Sequence, residues 1–342
     1  MMKFGFYRLI VAGVTLLCWG KAPVQAQQPF YQDKTIRLIV GTAAGGGFDT
    51  YSRVIARHMG RHIPGNPTIV VDNMPGAAHL VSANYLYNVA KPDGLTIGNF
   101  TGALLLGQVL KRPGIEFDAR KFSYLGAPAR DISVCAVSKR SGLRTLQEWQ
   151  ASKKPVKIGG IGPGDFTYEV PKVLAYALNL PTQVVAGYKG TAAIRLAVES
   201  DEVDGVCMDW NSIRSTWRKA LDAGEVAVVT RLSASSDPEI SNLPLASDFA
   251  KKPDGRTLIQ VAVAERGSIF RSYLMPPGVA RDRVQVLTRA FQETLRDSEF
   301  LSDAKKSNLN IDPVSSTELE EVVTNMCQLK PELLAKLSEI LR

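Results

Sequence analysis

Apolar positions along this chain follow two alternating rhythms. Thr35 to Val40 is a short, nearly continuous apolar run, as in a strand covered on both faces, and Tyr51, Val54, Ile55, His58 and Met59 then recur at helical spacing. The unit is strand, loop, helix, and it returns. Strand Thr68 to Val71 precedes helix Leu80 to Val89, and the Pro92-Asp93-Gly94 turn leads into strand Leu95 to Asn99. Strand Val156 to Ile158 precedes helix Thr167 to Asn179. Strand Gln183 to Val185, helix Ala192 to Ser200, strand Gly205 to Met208 and a helix from Ser212 to Ala223 continue the series. Such alternation predicts an α/β fold of mostly parallel sheets flanked by helices.

The chain is expected to leave a first sheet near Gly126 to Arg130. It returns after Thr230 through the polar, proline-bearing segment Ser233 to Gly255, and it ends in helices from Arg281 to Leu341. At 342 residues and 45% hydrophobic, the chain suits two modest domains.

The beginning changes the picture of where the protein works. Lys3 and Arg8, the apolar run Leu9 to Trp19 and the small-residue site Val24-Gln25-Ala26 read as a secretory signal over residues 1–26, cleaved near Ala26. The run is shorter than the roughly 17 residues that span a bilayer. Leu17 stands before Cys18 where a lipoprotein site takes a small residue, so the mature chain is expected free in the periplasm. Loss of Lys3, Arg8 and Lys21 lowers the net charge from +8 to +5, a weak attraction for anions. The basic residues form no block and do not interleave with aromatics, which argues against nucleic acid. Cys135, Cys207 and Cys327 have no metal-ligand spacing. Ordinary buried thiols are the simpler reading, with a Cys135 to Cys207 bridge open in an oxidising compartment.

In open parallel sheets ligands bind at the carboxyl ends of strands. Three loops there are glycine-rich: Gly45-Gly46-Gly47-Phe48-Asp49-Thr50, the segment Gly159 to Gly164, and Gly187-Tyr188-Lys189-Gly190-Thr191. Glycines let backbone N–H groups turn inward, and a helix start adds partial positive charge. Hydrogen bonds to a charged group contribute roughly 1.5 to 3 kcal/mol each, so such loops can hold a carboxylate without an arginine. The competing reading is that the glycines only make tight turns, with Tyr188 packed and Lys189 solvated.

Cofactor chemistry finds little support. Pro163 interrupts the half-match to a dinucleotide fingerprint, and no Walker-type lysine is present. The three histidines are His58, His62 and His79. His58 and His62 are four apart without the glutamate of a metallohydrolase, and no Gly-x-Ser-x-Gly elbow or reactive cysteine context occurs. Glu320 and Glu321 lie on a polar helix. No enzyme, cofactor or metal is expected.

The landmarks Ile36 to Val40 followed by Gly45-Gly46 and Asp49, then Asp72-Asn73-Met74-Pro75-Gly76-Ala77, Pro92-Asp93-Gly94, Tyr188-Lys189-Gly190-Thr191 and Pro276-Pro277-Gly278, in this order and spacing, resemble the receptors of tripartite tricarboxylate transporters, the Bordetella uptake gene (Bug) proteins. The resemblance implies a two-lobed periplasmic-binding-protein fold (type II). Domain 1 would comprise residues 27–128 plus approximately 256–342, and domain 2 approximately 129–255. It implies a monomeric solute-binding protein that closes on a small carboxylate and hands it to a permease of one large and one small membrane subunit. A sensor presenting the bound acid to a signalling receptor is the alternative.

Carried over from the family, the ligand-binding candidates are Gly45, Gly46, Gly47 and Asp49 in the first lobe and Gly162, Gly164, Asp165, Phe166 and Thr167 in the second; Phe48, Thr101, Gly102, Tyr188 and Asp209, placed around them, complete the set. Asp49 would repel a carboxylate, so it is expected to cap its helix and orient the loop. This chain departs from the family with Ala44 for proline, Phe48 for a small hydroxyl residue and His79-Leu80 for a glycine-rich continuation. Phe48 and Phe166 would bring aromatic surface to the cleft, which suits an aromatic or longer, less polar acid; structural packing accounts for both equally well and leaves the ligand open.

Overall fold

Apolar runs without polar alternation become strands with both faces covered, and this governs how the chain is layered. In a computed structural model that describes residues 1, 28–234 and 237–342, β1 (Thr35–Val40), β2 (Thr68–Asn73), β3 (Thr96–Thr101) and β4 (Ser123–Gly126) alternate with α1 (Gly47–Met59), α2 (Leu80–Asn88) and α3 (Ala103–Val109). The chain then crosses to β5 (Ser133–Ser138), α4 (Leu146–Ala151), β6 (Val156–Gly160), α5 (Phe166–Leu178), β7 (Thr182–Ala186), α6 (Thr191–Glu199), β8 (Gly205–Asp209), α7 (Trp210–Thr216), α8 (Arg218–Asp222) and β9 (Val226–Arg231). It returns through α9 (Gly255–Ala262) to β10 (Arg271–Met275) and ends in α10 (Arg281–Thr294), α11 (Ser298–Lys306), α12 (Ser316–Met326) and α13 (Pro331–Leu341). The signal-peptide expectation falls outside the described residues apart from Met1. No helix among the described residues is long and apolar enough to cross a membrane.

The two sheets have the same plan. Their orders are β2-β1-β3-β10-β4 and β7-β6-β8-β5-β9, so each admits one strand arriving from the other lobe between its last two own strands. That arriving strand runs against its neighbours: β10 is antiparallel to β3 and β4, and β5 is antiparallel to β8 and β9. The two-lobed α/β expectation holds. Each sheet is mostly parallel, four strands running one way, and is mixed only through the strand that crosses over and reverses direction.

Helix packing shows a second difference. α9 and α13 lie against α5 of the second lobe, although the sequence reading places everything after about residue 256 with the first. α10 and α12 do pack on β4 of the first sheet.

One apolar cluster belongs to the outer face of the first sheet, around Tyr51, Ile55 and Phe291, and another to the outer face of the second, around Ile194, Val206 and Trp217. A third is shared: it runs without a break from Phe48 and Leu104 through Phe270 to Phe166 and Trp149, joining the lobes. Cys135 and Cys207 face each other on β5 and β8 and form a disulfide, so the plain-thiol reading is corrected: adjacent antiparallel strands bring the two sulfurs together. Cys327 is a free, half-buried thiol.

Candidate functional site

The loops after β1, β6 and β7 all open toward the interface of the two lobes, and there they meet. Gly45, with φ of +88°, turns the chain into α1. Its N–H donates to Asp49 Oδ2 at 3.0 Å, while Asp49 Oδ1 accepts from Asn73 at 3.0 Å. Asp49 therefore orients the loop as expected, but from the third helical position: the cap position is Gly46, which offers no side chain. Burial pushes the Asp49 carboxyl up, and hydrogen bonds from Arg53, Gly45 and Asn73 outweigh it and hold the group below its ordinary value.

Across the interface the loops touch directly. The Ala43 N–H donates to the Lys189 carbonyl at 3.3 Å. A Cβ on Gly46 would lie 2.6 Å from Thr191 Oγ1, and one on Gly47 would lie 1.8 Å from Ser212 Oγ at the start of α7. Both glycines are required here by close approach.

Between these loops lies an aromatic and ionic plug. The Phe48 ring stands 5.3 Å from Phe270, which stands 5.2 Å from Phe166, so three phenylalanines from two lobes and a crossing segment form one column. Phe48 and Phe166 are both buried in it. They thus pack the interface instead of presenting free aromatic surface, the packing alternative of the two readings, with Phe270 sitting between them.

Arg271, fully buried, spans the interface. It donates to Asp209 at 2.8 Å and Asp131 at 3.4 Å, and it stacks over Tyr51 at 4.4 Å and Phe48 at 4.7 Å. Its Nε and Nη1 have no hydrogen-bond partner. One guanidinium faces two buried carboxylates, so burial, with the Asp209 charge adding to it, raises Asp131 to about 7 against the pull of Arg271 and a hydrogen bond from Asn211. Asp209 also accepts from the Ser212 N–H at 2.7 Å, capping α7. On the other side of Phe270, Glu169 is clasped by Arg112 and by Arg266 at 3.0 Å.

His79 comes from the first lobe and Asp165 from the second. Their closest side-chain atoms are 3.3 Å apart with both groups buried, off hydrogen-bond alignment. His79 sits at φ of +72°, after Ala77 and Ala78, also at positive φ. Three such non-glycine residues in a row mark a backbone held in an unfavourable region by its surroundings. Asp165 also caps α5 by accepting from the Thr167 N–H at 2.8 Å, and Thr167 Oγ1 in turn accepts from the Ile161 N–H at 2.9 Å.

Outside the plug the interface widens into a chamber of about 620 Å³, walled by Gly41 and residues 75–80 of the first lobe and by residues 161–163 and 187–189 of the second. Gly162 and Tyr188 line it. The Tyr188 hydroxyl turns away to Glu202 at 2.6 Å, and Lys189 is exposed. A larger hollow of about 780 Å³ lies behind Arg271 at the hinge, beside Arg130 and Trp210, but no glycine-rich strand-end loop reaches it.

The remaining sequence candidates fall elsewhere. Thr101, at the end of β3, accepts from the Ala103 N–H at 3.2 Å, and Gly102, the residue before α3, is packed beneath Ile269. Gly164 lies against Leu104 and Arg112. His58 and His62 dock α1 on α11 through Asp303 at 3.1 Å and Asp297 at 3.2 Å. His58, Asp297 and Glu299 offer ligand atoms within 4.8 Å of one another, but the Arg61 guanidinium pairs with both acids and approaches His58 at 3.1 Å, supplying the cation there itself. Sequence reasoning missed Phe270, Arg271, Asp131 and the role of His79; only His79 had left a signal, as a departure from the family pattern.

No protein-family model matches the sequence. A UPF0065 protein in the gbd 5' region of Cupriavidus necator is 31% identical over 182 residues, 53% of this chain and 52% of that protein. A UPF0065 protein of Bordetella bronchiseptica is 26% identical over 161 residues, 47% of each. The chain spans about half the length of these curated relatives. Among solved structures, MatC from Rhodopseudomonas palustris with bound malate superposes with a TM-score of 0.70 at 19% identity, covering 90% of this chain and 99% of that one. The periplasmic binding protein BugD gives 0.70 at 19%, covering 91% and 98%. A second R. palustris protein, with adipate, gives 0.71 at 18%, covering 90% and 97%. Over about half its length the chain is similar in sequence to UPF0065 proteins, and its fold is that of the solved binding proteins BugD and MatC.

Proposed function

We propose that this protein is an extracytoplasmic solute-binding receptor that captures a small carboxylate between its lobes and delivers it to a tripartite tricarboxylate transporter permease, without a cofactor and without catalysing a reaction. The observation that carries this reading is the meeting of strand-end loops from both lobes across one interface, through the Ala43 to Lys189 hydrogen bond and the facing pair His79 and Asp165. A ligand held by both sides favours the closed arrangement because only that arrangement makes all of its contacts. Structures of the same fold carry malate and adipate, which supports a carboxylate.

A thermal-shift screen of the mature, unfolded-and-refolded chain against mono-, di- and tricarboxylates and amino acids tests it. An acid at about 100 times its Kd adds roughly 2.7 kcal/mol of stability, a shift of several degrees. Silence across the whole panel would refute the receptor reading.

A further inference from the structure

We propose that the acid this receptor takes is a monocarboxylate with an apolar body, seated in the outer chamber with its carboxylate toward Lys189, and not against the glycine loop after β1. The proposal rests on the receptor reading and refines its ligand.

Two sets of observations lead to it. The inner position is filled by the protein: Gly46 and Gly47 abut Thr191 and Ser212, and Phe48, Phe270 and Phe166 stack between the loops. The chamber beyond is open, since a Cβ on Gly162 would meet nothing within 4 Å. At about 620 Å³ it is sized for a body much larger than a four-carbon acid.

Its walls fix the chemistry. Pro75, Leu80, Ile161, Pro163 and the Tyr188 ring are apolar surface, and among the described residues no carboxylate lines the chamber. Lys189 forms no ion pair among the described residues, and both ring nitrogens of buried His79 lack a hydrogen-bond partner, with Asp165 and the Gly41 backbone against them. The imidazole already faces the Asp165 carboxylate, so the Lys189 ammonium is left to compensate one ligand carboxylate. A second carboxylate on the ligand would be desolvated against apolar wall without a partner, which is costly.

Isothermal titration of the mature chain with phenylacetate, octanoate, malate and adipate decides the matter, alongside Lys189→Glu and Gly162→Phe. Phenylacetate or octanoate is expected to bind at least tenfold more tightly than either diacid. Lys189→Glu, at an exposed position, is expected to weaken that binding roughly tenfold or more, the loss of one charge-assisted contact. Gly162→Phe should abolish it while leaving the circular dichroism unchanged. Binding of malate or adipate at least as tight as that of the monoacids, or an unchanged affinity in Lys189→Glu, would overturn the proposal and leave the receptor reading standing. Binding of none of the four acids overturns the proposal as well, and silence across the wider carboxylate and amino-acid panel would take the receptor reading with it.

Discussion

Replacing Asp131 by asparagine should remove most of the pH dependence of this protein's stability between pH 4 and 7. Arg271 is shared by Asp131 and Asp209 in a fully buried setting, so one guanidinium must serve two carboxylates. The Asp131 carboxyl is raised to about 7 in the folded protein from 3.8. The folded state therefore holds a proton that the unfolded state has released across that window. Stability is greatest below the unfolded value, falls as pH rises through the folded one, and is flat above it, the reverse of a salt-bridged surface carboxylate. At about 1.4 kcal/mol per pH unit the full fall is about 4 kcal/mol.

Asp49, Asp118, Asp303 and Glu318 are held below their ordinary values, so their effects act at lower pH and do not mask the window. In Asp131→Asn the Asn211 hydrogen bond can persist through the amide oxygen, and Arg271 is left one-to-one with Asp209. Urea unfolding at pH 5, 6, 7 and 8 should show the variant gaining on the parent by several kcal/mol from the lowest to the highest pH. Parallel pH curves for the two proteins would show that the shared arginine does not govern this region.

Two further perturbations address the frame and the cleft. Reducing the Cys135–Cys207 bridge, or replacing both cysteines by alanine, frees a link across 72 residues; on loop-closure entropy the cost is about 4 kcal/mol, measurable by urea unfolding with and without reductant. Gly47→Ala places a methyl group 1.8 Å from Ser212 Oγ, so the lobes must part or shift. Overpacking costs of about 1 to 3 kcal/mol predict a larger radius of gyration by X-ray scattering and an acid affinity lowered roughly tenfold, with the secondary structure retained.

The elements legible in the sequence were those whose signal is local. β1, β2, β3, β6, β7 and β8 are apolar runs ending at a turn, and each was anticipated within a few residues. The strands at the crossings were not. β5 reads Ser-Val-Cys-Ala-Val-Ser, with no alternation because both faces are buried, and β10 begins with Arg271, a charge that masks a core strand until its two distant carboxylates are known. The single helix expected from Ser212 to Ala223 breaks at Trp217, whose indole N–H is drawn to Glu199 at 2.9 Å.

The site divides in the same way. The glycine loops announced themselves by composition, and all three come to the interface. What fills the space between them depends on partners far apart in sequence: Phe48 with Phe270, Asp209 with Arg271, and His79 with Asp165. No periodicity encodes such pairings.

The central claim is that one small acid is held by both lobes at once, and a crystal structure of the protein with the acid selected by titration tests it most directly. The account predicts the acid in the chamber between residues 75–80 and residues 187–189, its carboxylate within hydrogen-bond reach of Lys189 and its body against Leu80 and Ile161. An acid bound to the surface of a single lobe, with the interlobe chamber left to solvent, would contradict it.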